Sequence, residues 1–137
     1  YKYSYGEDLL IFSTIFQAEQ DIATQLFYSP DPVMAHNNAK DPCLNYANNA
    51  ALELWKMSWE EMIDMPSRPT APKTEQKHRK KALQQASTNH AITNYQGIRI
   101  SRKDELFMIK NARIWTMLDK EGQVFGQAAT FNAWWTI

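Results

Sequence analysis

The last third of the chain sets the tightest limit on its fold. Three segments rich in β-branched and aromatic residues follow one another: AITNYQGIRIS (Ala91–Ser101), ELFMIKNARIWTML (Glu105–Leu118) and QVFGQAATFNAWW (Gln123–Trp135). Only RKD and DKEG separate them. Breaks this short, built from turn residues, join neighbouring antiparallel strands, whereas a parallel pair needs a crossover of a dozen or more residues. The spacing therefore predicts an antiparallel meander of three long strands. Strict alternation in the middle strand would put Phe107, Ile109, Asn111, Arg113 and Trp115 on one face. Met108, Lys110, Ala112 and Ile114 would then share the other.

The first two-thirds read differently. Apolar residues at helical spacing, among them Leu9, Phe12, Ile15, Leu26 and Phe27, predict a helix over residues 6–27. It is stopped by the two prolines of SPDP. Pro32–Asn37 reads as a short edge strand and Pro42–Ala47 as a second, with Cys43 a buried small hydrophobe. Asn48 suits the N-cap of a helix running to Met57, and Ser58 with Glu61 forms a capping box for another. MPSRPTAP is irregular. Lys73–Thr88 is a breaker-free helix with a thin apolar stripe of Ala82, Leu83 and Ala86, and its basic run Lys73–Lys81 reads as a wet face. The sum is an α+β fold: a five-stranded antiparallel sheet with helices on one face, preceded by an N-terminal helix. Such a layer can enclose a small cavity. The natural division is an N-terminal helix over 1–28, serving as a dimer or signal element, and a domain over 29–137.

Composition narrows the function. At 137 residues the chain is one domain, and 44% apolar content marks it as globular. Its net charge is zero, and the basic run carries no interleaved aromatics, so nucleic acid is not an expected partner. No apolar run reaches membrane-spanning length, and YKYSYGEDLLIF lacks the basic start of a signal peptide. A cytoplasmic protein without membrane contact is the expectation. A lone cysteine and three scattered histidines suggest neither a disulfide nor a metal site. His78 falls in the solvated run, and His90 reads as a helix C-cap. No phosphate loop, nucleophile elbow or His-Glu-x-x-His motif is present, so the expectation is a protein that is not an enzyme.

One stretch carries a resemblance. YANNAALELWKMSWEEM resembles the PAS signature, in which a strand ends at an aromatic-Ala-Asn step and leads through a helix into a Ser-x-Glu-Glu turn. With VMAHN, DPCLNYANNAALELWKMSWEEM, MPSR, GIRIS and GQAATF, spanning Val33 to Phe131, the chain is more specifically similar to the MEKHLA branch of that superfamily. The resemblance implies a sensory or interaction module. Such a module binds a small ligand between sheet and helices and signals through protein–protein contacts, often by homodimerisation through a flanking helix. It implies no settled ligand and no particular partner protein. Light-sensing PAS relatives use a flavin-reactive cysteine where this chain has Ser67, which speaks against adduct chemistry. Flavin without an adduct would call on Arg68 as a phosphate clamp, and haem would call on a histidine such as His36, which matches a histidine of related MEKHLA sequences.

The residues themselves nominate a pocket on the late strands. Asn111, Arg113 and Gln127 are polar positions within apolar alternation, and Arg113 beside Trp115 could hold an anionic ligand against an aromatic wall. The same arginine reads equally as facing water, because strand register is not set by the sequence. Trp55, Phe107, Trp115 and Phe131 either pack together into a filled core or leave a gap for a ligand. Trp134 and Trp135 read as a packing plug or a dimer contact. Two functions follow: a ligand-binding sensory module with cofactor unknown, or a protein-interaction module whose core is filled by its own side chains.

Overall fold

A computed structural model describes residues 16–137. It contains α1 (Phe16–Phe27), β1 (Val33–Asn37), β2 (Leu44–Ala47), α2 (Asn49–Trp55), α3 (Trp59–Met62), a 3-10 turn (Arg68–Thr70), α4 (Lys73–Asn89), β3 (Ala91–Ile100), β4 (Leu106–Leu118), β5 (Val124–Thr130) and β6 (Ala133–Thr136). The stretch 6–15 of the expected first helix lies outside the described residues. The strands form one antiparallel sheet in the order β2-β1-β5-β4-β3.

The expected meander β3-β4-β5 is present, closed by turns at Ser101–Glu105 and Asp119–Gln123. Two features differ from the sequence reading. The strand at 33–37 is not an edge, because it is paired on both sides, by β2 and β5. The last expected strand is broken at Phe131–Asn132, and its second part is a sixth strand. β6 pairs with the first half of β4 (Phe107 to Lys110), as β5 pairs with the second half (Arg113 to Leu118).

The break has a cause in β4. Asn111 adopts φ +57° and marks a bulge, and Asn94 on β3 does the same at φ +57°. Asparagine tolerates the left-handed region better than most residues, so each bulge falls where it is least strained. An extra residue reverses the side-chain alternation beyond it. Phe107 and Ile109 before the bulge share the core with Ala112 and Ile114 after it. Arg113 and Trp115 are thereby sent to the opposite face, which corrects the strict alternation expected for this strand. There Trp115 packs with Ala35, Met117 and Ala128.

The main core lies between the sheet and α2, α3 and α4. Trp55 meets the rings of Phe107 and Phe131 edge-on at 5.0 and 6.1 Å. Two sheet side chains bind α4 through its carbonyls: Thr116 Oγ1 donates to Ala86 (3.0 Å) and Gln127 Nε2 to Leu83 (2.8 Å). All three predicted caps are present. Ser58 and Glu61 exchange side-chain bonds with each other's backbone N–H. His90 ends α4 in the left-handed region at φ +66°.

Asn48 does more than cap α2. Its Oδ1 accepts from Ala51 N (3.1 Å) and from Val33 N (2.9 Å), and its Nδ2 donates to the carbonyls of Leu26 (3.1 Å) and Asp31 (2.8 Å). The side chain is fully buried. Asn48→Ala should therefore cost about 3–5 kcal/mol, beyond the usual ~1 kcal/mol for a lost cap, because three distant backbone groups lose their partner. Asn48→Asp, an equally good N-cap by type, should be no better, since a carboxylate cannot donate to Leu26 and Asp31. Chemical denaturation of the two variants checks both expectations; an Asp variant near wild-type stability would show that the cap alone matters.

Candidate functional site

Between the inner face of the sheet and the helices lies a cavity of about 60 Å³. Its walls are mostly apolar, with Leu44, Trp55, Ile109, Ile114 and Phe131 among them. Set into these walls are six polar side chains: His36 of β1, Gln127 of β5, Thr70 of the 3-10 turn, Arg79 of α4, and Tyr95 and Arg99 of β3. Cross-strand pairing places His36 opposite Gln127. Antiparallel partners point to the same side, so both reach the cavity.

The arginines are the unusual members. Arg99 is only 5% exposed; its Nη1 donates to the Ile98 carbonyl (2.9 Å) and its Nη2 to the Tyr95 hydroxyl (3.2 Å), with the guanidinium carbon 5.5 Å from the Tyr95 ring centre. Arg79 is half-buried and donates from Nη2 to Oγ of fully buried Ser67 (2.9 Å). Burial, with added repulsion from Arg99, lowers its pKa to about 10. Among the described residues the ion pairs are Lys56–Glu105, Arg68–Asp41, His78–Glu75 and Arg102–Glu61, so neither cavity arginine has a carboxylate partner.

His36 completes the polar wall. Its ring is 7% exposed, and Nδ1 lies 2.9 Å from the Asn37 carbonyl. A carbonyl only accepts, so Nδ1 carries the proton and Nε2 of the neutral ring is an acceptor. Nε2 is buried and has no hydrogen-bond partner. Burial pulls the imidazole pKa below its usual value, and the Arg79 charge adds to that pull against the raising effect of the Asn37 bond.

The residues nominated from sequence separate into three groups. His36, Trp55 and Gln127 line the inner cavity. Asn111, Arg113 and Trp115 come together, but on the outer face, where they line a cleft of about 610 Å³ with Leu26, Asp31 and Asn94. Arg68 lines neither and sits at the surface with Nε 3.2 Å from Asp41 Oδ1. Cys43, expected to be buried, is half-exposed, with Sγ 3.6 Å from the Asp41 carbonyl. Trp115, expected near Trp55, Phe107 and Phe131, is separated from them by the sheet.

Sequence reading missed Arg79 and Arg99. Arg79 was absorbed into the wet basic run, yet it stands three, four and seven residues before Ala82, Leu83 and Ala86 and so shares their stripe. Arg99 alternates with Ile98 and Ile100, and the isoleucines suggest the opposite face as the buried one. Yet Tyr95, Gly97, Arg99 and Ser101 are the buried set.

Haem and flavin can be judged by size. Pockets that enclose drug-sized molecules run to about 300–1,000 Å³. A cavity of about 60 Å³ does not accept either ring system. No group of three or more metal-ligating side chains occurs among the described residues.

A model of the MEKHLA domain matches residues 1–136. The chain belongs to the MEKHLA domain family. Its fold is that of PAS domains. One similar structure is the PAS domain of a protein from Colwellia psychrerythraea, with TM-score 0.73 and 13% identity over 83% of this chain and 94% of that one. Another is an RNA-binding Light-Oxygen-Voltage receptor, with TM-score 0.73 and 16% identity over 85% of this chain and 33% of that one. Among curated proteins, none matches this MEKHLA domain by sequence. No helix among its described residues is long and apolar enough to cross a membrane.

The depressed proton affinity of His36 has a consequence for stability. The unfolded chain takes up a proton near the ordinary value of 6.5, before the folded one does. The unfolded state therefore binds more protons in that window, and stability falls as pH drops through and below 6.5. Melting temperatures of the wild type should decline on acidification from pH 7 toward the lowered folded value. His36→Asn, whose amide can still donate to the Asn37 carbonyl, should lose that part of the slope; parallel melting curves for the two proteins would assign the pH dependence to other groups.

Proposed function

We propose that this MEKHLA domain is a sensory module without catalytic activity. It holds a small molecule between the sheet and α4 and passes its occupancy on through protein–protein contacts. The observation that carries this reading is the inner cavity: a small, mostly apolar space into which His36, Arg79 and Arg99 bring polar groups whose hydrogen-bonding capacity the protein itself does not use up. Buried polar groups ordinarily have partners, and exceptions gather at functional sites. The cavity also touches the elements that would relay a change. Gln127 and Thr116 bind carbonyls of α4, and β1 begins at the Asn48 bond that reaches the end of α1. Movement of the sheet on occupancy would therefore be felt at the N-terminal helix, which we assign as the contact to a partner protein or to a second copy of the chain.

A second reading is favoured by one observation. Trp55 packs its ring against those of Phe107 and Phe131 between the layers, and all three are buried. On that reading the domain is an interaction module whose core binds nothing, and the outer face is its working surface.

Native mass spectrometry of freshly purified protein, set against its denatured mass, separates the two. The sensory reading expects a stoichiometric extra mass that is lost on denaturation, or one gained on incubation with a metabolite mixture. A bare mass under both conditions would move the assignment to the interaction module. The same spectrum reports the oligomer: a dimer would assign α1 to a second copy of the chain, and a monomer would assign it to a partner protein.

A further inference from the structure

One buried and one half-buried arginine facing a single cavity, without a carboxylate, make a conspicuous charge imbalance in a chain whose net charge is zero. Burying a charge is costly unless an opposite charge and hydrogen bonds compensate it. Here the compensation is partial. A guanidinium has five N–H donors. Arg79 spends one on Ser67, and Arg99 spends one each on Ile98 and Tyr95. The carboxylate one turn before Arg79 is engaged elsewhere: Glu75 Oε1 lies 3.4 Å from Ile98 N and 4.0 Å from His78 Nδ1. Repulsion between Arg79 and Arg99 is left standing, and it extends from Arg79 to His36.

We infer that the inner cavity of this domain is a receptor site for a small oxyanion, a carboxylate or phosphate group held between Arg79 and Arg99 with His36 at its edge. The inference rests on the sensory reading above and names the chemical class of its ligand. An oxyanion satisfies several features at once. Its charge offsets two cations that no protein group neutralises, and its oxygens accept the unused guanidinium donors. It also offers a partner to His36 Nε2, which is buried without one: a bound anion favours the protonated imidazole, whose Nε2–H would donate to it. The size agrees. One water needs roughly 10–15 Å³ of such space, so about 60 Å³ holds a group of a few heavy atoms and not a ring system.

The seat of Arg99 is built into the backbone. A Cβ on Gly97 would lie 2.7 Å from the Tyr95 hydroxyl and 2.8 Å from Arg99 Nη1. Any other residue at 97 would push both groups out of position. The obstructed atoms, which include Tyr95 Cζ at 3.2 Å, belong to side chains and not to backbone, so the change falls first on the Tyr95–Arg99 pair. Gly97→Ala is thus a variant that keeps every charge and disturbs only their placement. Gly126 is the contrasting case: there a Cβ would meet the His36 carbonyl oxygen of the neighbouring strand, so that position answers for the sheet itself.

The test is a calorimetric and NMR titration of the full chain at constant ionic strength with three probes: inorganic phosphate, acetate and uncharged acetamide. Saturable binding of phosphate or acetate, with shifts at His36 and Arg99 and none from acetamide, is the expected result, and the anion that binds tells phosphate from carboxylate. Arg99→Gln and Arg79→Gln should each weaken that binding by about ten- to a hundredfold. Gly97→Ala should weaken it too while its circular dichroism stays that of the wild type. If a glutamine variant fails to fold, the Gly97 variant and the wild-type shifts still decide. Equal binding of acetamide and acetate would overturn the anion assignment and leave the sensory reading standing. Anion binding unchanged in the arginine and glycine variants would overturn it as well, by placing the anion elsewhere. No binding of either anion overturns it; the native mass then shows whether an uncharged ligand occupies the cavity or whether the sensory reading falls too.

Discussion

Four hydrogen bonds from one buried amide hold the N-terminal segments of this domain together. Asn48 joins the end of α1, the turn at Asp31, the first residue of β1 and the first turn of α2. Its backbone N–H adds a bond to the Val33 carbonyl, so β1 is clasped from both directions. An amide is the only side-chain group of this size that presents an acceptor on one side and a donor on the other. The rest of the architecture follows from where that clasp sets β1. Val33 in place fixes His36 opposite Gln127 and, through β5, aligns Gln127 with Thr116 of β4. Asn48 also launches α2, whose other end delivers Trp55 to the core and its indole N–H to the Thr70 carbonyl (3.2 Å).

A second constraint divides the sheet. The bulges at Asn94 and Asn111 each add a residue in the left-handed region, and the one at Asn111 keeps Phe107, Ile109, Ala112 and Ile114 of β4 together on the inner face. Without them Asn111 and Arg113 would point into the core with no partners for their polar groups. With them, the two residues line a cleft on the far side, next to the end of α1. A one-residue insertion thus decides which polar side chains become interior and which remain at the surface.

The interior polar set departs from what stability alone would select. Replacing a buried ionic cluster by apolar groups of similar volume is often neutral or favourable. Here Arg79 and Arg99 stand within reach of each other's charge, and burial lowers the proton affinity of Arg79. Tyr95 moderates this by accepting from Arg99, and its ring stacks on His78 at 5.5 Å. A zero net charge for the whole chain says nothing about this local excess, because burial weakens screening and the field is set by the groups within a few ångströms.

Local chemistry was legible in the sequence wherever one segment decides the outcome by itself. The caps at Asn48 and Ser58–Glu61, the prolines ending α1, the hairpin breaks, the meander and the α+β class all rest on interactions within a few residues, and the sequence displays them directly. The resemblance of YANNAALELWKMSWEEM pointed to the family for the same reason, since it is a run of caps and turns. What the sequence could not display was set by contacts between segments. That Asn48 also binds Leu26 and Asp31, that β1 lies inside the sheet, that Arg113 leaves the core and that Arg79 and Arg99 enter it depend on register and docking. A bulge of one residue reverses the alternation, and a helix turned by one position exchanges its wet and dry faces. The types of residue present were determined by the sequence alone; which of them share a cavity was decided only when the strands and α4 came together, because burial belongs to pairs of surfaces and not to a segment.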